Sequence, residues 1–434
     1  MTQAHILRSA CATALLVLAG CHGLLDVSDP TLIRDEDIAN AAGANALRLN
    51  ALDALVGSIQ VPITDVAKFT DEWTLDVTPA TSVGTFRDAQ LDLRNSQAIE
   101  ATTPGSDPHL GPLSYILWQT SIAISSVRAY TPDSLKGDFL AQLYAVRGYV
   151  ILQMAEDLCS GFPINDVADN HTVYGGPLTT DSAIALASAQ LDSSLKYVQD
   201  SVRFVEFARV VKGRALLDQG KYSEATAMVA SVPTEMLYTR GVPGGIAMQS
   251  RYCLGCVLTA LGNNEGTNGL PFASAHDLRV PVRVLGRRNT DAGDTLFITT
   301  KGRSASDSIV LASGIEARLI QAEAALHDAQ SWKPILDSLR STVGLDTLVD
   351  PGTTDSRVDL IYRERAFWLF MTGRRLGDLR RLIRNYDRTP ESVFPTGIWR
   401  GGTGDRYGTA TAIPFVLSFQ QKYNSAEFTG CTSR

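Results

Sequence analysis

A mainly α-helical chain, built from stacked helical hairpins with long irregular loops and few short strands, is what this sequence predicts. Three observations carry that reading. In "FLAQLYAVRGYVILQM", Phe139, Leu143, Val146, Val150 and Met154 recur at spacings of four, three, four and four, the period of a helix with one apolar face. In "GIEARLIQAEAALH", Ile315, Leu319, Ala322 and Leu326 recur in the same way. Third, "RVVKGRALLDQGKYSEATAMVASVP" holds two helical patterns on either side of Gln-Gly-Lys-Tyr, closed by a proline. Gly220 breaks the first helix, Tyr222 packs in the turn and small Ala225 lets the helices approach, which is the tetratricopeptide pattern. Such a unit needs stacked neighbours to bury its apolar face. Helices around Trp118, Phe139, Ser182 and Arg209 supply them.

The elements follow in chain order. "MTQAHILRSACATALLVLAGCHGLLDVSDP" opens with Arg8 and an apolar stretch, Cys11 to Ala19, too short for a membrane-spanning helix of about 20 residues. This is the layout of a secretory signal. Leu18, Ala19 and Gly20 before Cys21 resemble a bacterial lipobox, so Cys21 is expected to be acylated and to become the first residue of the mature chain. The expected organisation is a signal peptide over 1–20, a lipid-anchored tether over 21–30 and one helical domain over 31–434. Thr31 to Leu55, Pro112 to Tyr130 and Ser182 to Val198 also read as helices. Asp71 to Gly111, Tyr238 to Thr300 and Pro390 to Pro414 read as long loops, ordered because aromatic and apolar residues are interleaved in them. Short strands are expected near Arg279 to Val284 and Thr295 to Thr299, where β-branched residues gather.

Composition excludes some functions. A formal charge of −7 argues against nucleic acid as a partner, which would want a basic face. Cys159, Cys253, Cys256 and Cys431 remain after the signal and Cys21. In an exported chain they are expected to form disulfides, with three pairings open. Zinc would want a second Cys-x-x-Cys or histidines at ligand spacing, and neither is present, so no metal and no cofactor is expected. Glycoside hydrolysis needs two positioned carboxylates. Asp71/Glu72 and Asp35/Glu36/Asp37 are adjacent acids that point apart on a helix, and His109, His171, His276 and His327 sit in unrelated contexts. No catalytic residue is assigned.

"LIYRERAFWLFMTGRRLGDLRRLIR", Leu360 to Arg384, places seven arginines in twenty-five residues beside only two acids, Glu364 and Asp378. Gly373 divides it. Ala366 to Met371 is apolar on all sides and reads as a buried helix, while Leu376, Leu379, Leu382 and Ile383 form one face of a second. Asp378 can pair with Arg374 and Arg381 on one helical turn, and arginine suits forked, partly buried carboxylate pairing. The stretch therefore reads as scaffold rather than as a polyanion patch.

The same stretch resembles the C-terminal signature of SusD/RagB-type lipoproteins. Glu364, Arg365, Leu369, Gly373, Arg375, Asp378, Leu379, Arg380 and Arg381 align without a gap, while Trp368 and Thr372 stand where the family has acids. "EARLIQAEAAL", "EGTNGLPF" followed by "HDLRVP", and "FPTGIWRGGTGDRYGT" agree in order, with Leu278 in place of a proline. The resemblance implies a lipid-anchored, non-enzymatic protein on the outer face of the outer membrane. Such a protein would capture glycans, or peptides, for a TonB-dependent β-barrel transporter of the SusC type that it caps. An aromatic ring on a loop can stack on the apolar face of a sugar, which makes Trp73, Trp399 and Tyr407 the candidate ligand residues. Two other classes stay open: a surface glycoside hydrolase, and a tetratricopeptide adaptor with only protein partners.

Overall fold

The computed structural model describes residues 38–76, 83–101, 107–168, 171–241, 258–287, 295–301, 308–400, 404–415 and 431. Cys21, Cys253, Cys256 and the Asp35/Glu36/Asp37 run lie outside them.

Helices dominate. In chain order they are α1 (Ala41–Phe69), α2 (Val83–Asp92), α3 (Ser96–Ala101), α4 (Leu110–Tyr130), α5 (Asp133–Asp157), α6 (Thr180–Tyr197), α7 (Val202–Asp218) and α8 (Tyr222–Val229). After them come α9 (Gly314–His327), α10 (Lys333–Ser341), α11 (Thr354–Trp368), α12 (Arg375–Tyr386) and α13 (Pro390–Val393). Several starts are set by short polar caps. Thr179 Oγ1 accepts from Ser182 N at 3.1 Å, Ser313 Oγ from Glu316 N at 3.1 Å and Thr353 Oγ1 from Ser356 N at 3.2 Å, each satisfying a donor that the helix leaves open.

The long helices pack in sequence: α1 on α4, α4 on α5, α5 on α6, α6 on α7, α7 on α8 and α8 on α9. Two residues join α4 to α5, four join α6 to α7 and three join α7 to α8, so consecutive helices form hairpins. The tetratricopeptide-like reading holds at its defining residues. Gly220 turns the chain at φ +71°, a left-handed conformation that glycine adopts without Cβ strain. Tyr222 is buried and stacks on His327 with centroids 3.7 Å apart, and Ala225 is fully buried against the adjoining helix.

Among the described residues, ten short strands form two-stranded antiparallel pairs. β1 (Trp73–Asp76) pairs with β7 (Leu258–Leu261), β2 (Phe162–Pro163) with β5 (Pro177–Leu178) and β3 (Asp166–Ala168) with β4 (His171–Val173). β6 (Leu237–Gly241) pairs with β10 (Ser308–Ser313), and β8 (Val282–Arg287) with β9 (Thr295–Thr299). The last pair lies where β-branched residues cluster. Asp71 to Gly111, expected as loop, instead contains β1, α2 and α3. α2 is held by tertiary contacts: Arg87 forms a fork on Asp65 at 2.7 and 3.1 Å, and Lys68 meets Asp88 at 2.8 Å.

The arginine-rich stretch is a buried ionic core. Arg365, Arg374 and Arg381 are among the largest side chains with almost no exposure. Arg381 meets Glu323 at 2.8 Å and Asp218 at 3.0 Å, and Arg375 forms a fork on Asp71 at 2.7 and 2.8 Å. Arg380 donates to the carbonyls of Ala155, Glu156 and Leu158, satisfying acceptors at the end of α5. Two expectations are corrected. Asp378 pairs with Arg365 and Arg381, both at 2.8 Å, while Arg374 turns to Gln153 and to the carbonyl of Leu311. The apolar run is buried, but α11 ends at Trp368 because Met371 and Gly373 take positive φ, +58° and +77°.

Cys159 is joined to Cys431, across 272 residues of sequence. His109 is fully buried between two carboxylates, 3.3 Å from Asp65 and 3.2 Å from Asp157. Among the described residues no group of three or more His, Cys, Asp or Glu is placed to hold a metal, and no helix is long and apolar enough to cross a membrane.

Candidate functional site

Among the described residues, concavities open to a ligand include the following two. One is built by β7, β9 and the segments that carry Asn263, Glu265 and Arg400. It encloses about 250 Å³ and includes Leu261, Asn263, Glu265, Phe297 and Arg400 in its lining. Next to Glu265 in its lining, "EGTNGLPF" approaches "FPTGIW" closely: a Cβ on Gly266 would lie 2.3 Å from the carbonyl of Thr396. Glu265 accepts from Asn263 N at 3.2 Å, and Arg400 donates to the carbonyl of Asn263 at 3.2 Å.

None of the three aromatics expected to bind ligand is among the residues that line this concavity, and two of them are buried. Trp73 pairs across the ladder with Leu261 and is 1% exposed within a cluster containing Phe272, Phe367 and Phe370. Trp399, 3% exposed, packs on Leu75, Ala89 and Leu93. Neither ring face is open to a sugar. Burial of such large apolar rings gains more than leaving them in water. Tyr407 is half-buried at the edge, its hydroxyl 3.3 Å from Glu265. Asp71 and Glu72 are also closed, Asp71 by Arg375 and Glu72 by the amide of Met371 at 3.1 Å.

The second concavity, about 510 Å³, lies in the helical scaffold. α4 contributes Ser121, Ser125 and Arg128; α5 contributes Tyr144 and Arg147; β3 contributes Asp166 and α6 contributes Gln190. Arg147 is its buried anchor. It donates to the Leu117 carbonyl at 3.0 Å, to Gln190 at 3.3 Å, to Asp166 at 3.2 Å and to the Ser121 hydroxyl. Burial holds its pKa below the usual arginine value, with Asp166 opposing that shift. Tyr144 stacks almost parallel on Tyr197, centroids 5.6 Å apart, and accepts a hydrogen bond from Arg128.

Beside this cavity α4 presents an exposed aromatic pair that the sequence reading overlooked. Tyr115 and Trp118 are 46% and 42% exposed and stack with centroids 6.3 Å apart. Of the five tryptophans, Trp118 alone is exposed. The signal was in the helical phase. Leu113, Ile116, Leu117, Ile124 and Val127 are buried, and Tyr115 and Trp118 fall outside that stripe. Trp118, Ser125 and Ala129 follow at intervals of seven and four, so the aromatic pair and part of the cavity lining share one face of α4. An apolar ring face beside planar donors, acceptors and hydroxyls is what a polyhydroxylated ring requires.

No protein-family model matches the chain, and no curated protein matches it by sequence. Solved structures do match it. NanU of B. fragilis superposes with a TM-score of 0.62 at 13% identity, covering 88% of this chain and 100% of that one. Surface glycan-binding protein A from Bacteroides thetaiotaomicron gives 0.59 at 13% identity, covering 88% and 95%. A SusD superfamily protein from Bacteroides vulgatus gives 0.59 at 12% identity, covering 79% and 88%. The stacked helical hairpins, the sparse two-stranded ladders and these superpositions agree: this chain has the SusD-like fold.

Proposed function

We propose that this protein is a lipid-anchored outer-membrane binding protein that captures glycans, or peptides, and passes them to a TonB-dependent β-barrel transporter. The exposed Tyr115–Trp118 pair beside the polar scaffold cavity carries the glycan reading. Apolar rings left in water on a helix that buries its other face cost hydration unless a ligand covers them. The fold supports the reading, since two of its structural neighbours are named surface glycan-binding proteins. The lipobox-like residues before Cys21 support anchoring without a membrane span. Each cavity contains one carboxylate among its described lining residues, Asp166 or Glu265, where glycoside hydrolysis needs a pair. That favours binding without turnover.

The test is polysaccharide affinity electrophoresis with Trp118→Ala. The expected result is at least about a tenfold loss of affinity, the size of one base- or sugar-scale stacking contact, with an unchanged thermal midpoint. Undiminished binding in that variant sinks the assignment of the site. Mild detergent extraction from the native host tests the partner. Recovery of a β-barrel of transporter size supports it, and recovery of this chain alone removes it.

A further inference from the structure

The scaffold cavity carries a charge pattern that runs against the chain as a whole. The protein has a formal charge of −7, yet the described lining holds two guanidiniums, Arg128 and Arg147, against one carboxylate, Asp166. The two arginines differ in state. Arg147 is buried and its donors are taken up by Leu117, Ser121, Gln190 and Asp166. Arg128 is exposed at the mouth, and its hydrogen-bond partner is the neutral hydroxyl of Tyr144. Among the described residues it forms no ion pair. A guanidinium has five donors in a planar fork, so one bond to a hydroxyl leaves most of Arg128 available to the cavity.

Resting on the glycan-binding reading above, we propose that this cavity selects saccharides bearing an anionic substituent, with Arg128 as the residue that receives it. The fork matches a carboxylate or a sulfate by two parallel hydrogen bonds. Ten residues of α4 separate Trp118 from Arg128, roughly 15 Å along the helix axis. The ligand is therefore an oligosaccharide, with one ring on the Tyr115–Trp118 platform and an anionic unit at Arg128. Because the whole chain is acidic, its long-range field repels polyanions. Retention of a polyanion then reports a local site rather than bulk charge.

The experiment runs the full-length mature protein through affinity gels containing polygalacturonate, alginate, hyaluronate, dextran sulfate, neutral galactan or dextran. The variants are Arg128→Gln, Arg128→Lys, Trp118→Ala and, as a charge control elsewhere on the surface, Arg357→Gln. Expected is retention on at least one anionic polymer, weakened about tenfold or more by Arg128→Gln and by Trp118→Ala. Arg128→Lys keeps part of it, and Arg357→Gln keeps all of it. Whether uronate polymers or dextran sulfate retain the protein identifies the anion as carboxylate or sulfate. Retention on neutral polymers alone, or anionic retention untouched by Arg128→Gln, overturns the inference and leaves glycan binding standing. No retention on any polymer overturns both.

Discussion

Replacing Asp378 with alanine should be among the most damaging single changes in this protein. The carboxylate is 2% exposed and accepts from Arg365 Nε at 2.9 Å, Arg365 Nη2 at 2.8 Å and Arg381 Nη2 at 2.8 Å. Burial alone would raise its pKa, but the two guanidiniums outweigh burial and hold it below the ordinary carboxylate value. The losses are unequal. Arg381 keeps Glu323 at 2.8 Å and Asp218 at 3.0 Å, whereas Arg365 is left with Glu323 at 3.6 Å. The dominant cost is one buried guanidinium stripped of its fork. Breaking a buried pair by removing one partner costs about 3–5 kcal/mol, above the roughly 1–3 kcal/mol expected if the site were only partly buried. Equilibrium urea unfolding should show a lowered midpoint with an unchanged slope, and Asp378→Asn should lose less. Saccharide affinity per folded molecule should stay at the wild-type value. A loss below about 1 kcal/mol would mean that this carboxylate does not hold Arg365, and a fully stable variant without binding would mean that scaffold has been mistaken for site.

Two further outcomes follow from buried groups. Burial opposes the charge on His109, but hydrogen bonds to Asp157 and Asp65 overcome it and raise its pKa to about 9. A folded value above the unfolded 6.5 gives stability that is fully present below about pH 6.5 and lost as pH rises through 9, worth roughly 3 kcal/mol. Burial also pushes Glu72 up to about 8, which erodes stability from about pH 4.5 upward. The difference between wild type and His109→Gln isolates the histidine, and parallel pH–stability curves for the two would refute its role. For the disulfide, alkylation without reductant should label neither Cys159 nor Cys431. Removing the bond should cost up to about 5 kcal/mol, the chain-entropy value for so long a loop, and labelling of both thiols would refute it.

What could be read in advance follows from whether a signal is local. The hairpin at Gly220, Tyr222 and Ala225 was legible because its turn glycine, packed tyrosine and small interface residue all lie within six positions. The scaffold role of the C-terminal arginines was legible in kind, since seven guanidiniums in an acidic chain need carboxylates. Their partners were not. Arg375 finds Asp71 304 residues away and Arg381 finds Asp218 163 residues away, and local spacing wrongly favoured Arg374 for Asp378. α2 escaped notice because its order comes from ion pairs to α1 rather than from a clear apolar period. The burial of two candidate rings was hidden for a related reason. Helical phase could have placed Trp118 outside the buried stripe of α4, but only the packing shows Trp73 and Trp399 turned inward.

The placement of the cavity on α5 bears on how tightly it can hold a ligand. Every residue from Leu140 to Asp157 is buried, as expected of a helix with neighbours on all sides. Tyr144 and Arg147 therefore project from an enclosed segment of the scaffold. Arg147 also bonds the Leu117 carbonyl on α4 and Gln190 on α6, so one side chain fixes three cavity walls relative to one another. Six residues farther along, Gln153 donates to the Gly373 carbonyl at 3.0 Å and to Asp157 at 2.8 Å, joining α5 to the arginine-rich core. The inner walls of such a cavity are held in place by these bonds, so the freedom lost on binding would fall on exposed side chains such as Trp118 and Arg128. A loop-borne site would have to order itself each time. On this arrangement the buried arginines keep α5 in place, and the proposed charge selection would rest with Arg128 at the exposed mouth.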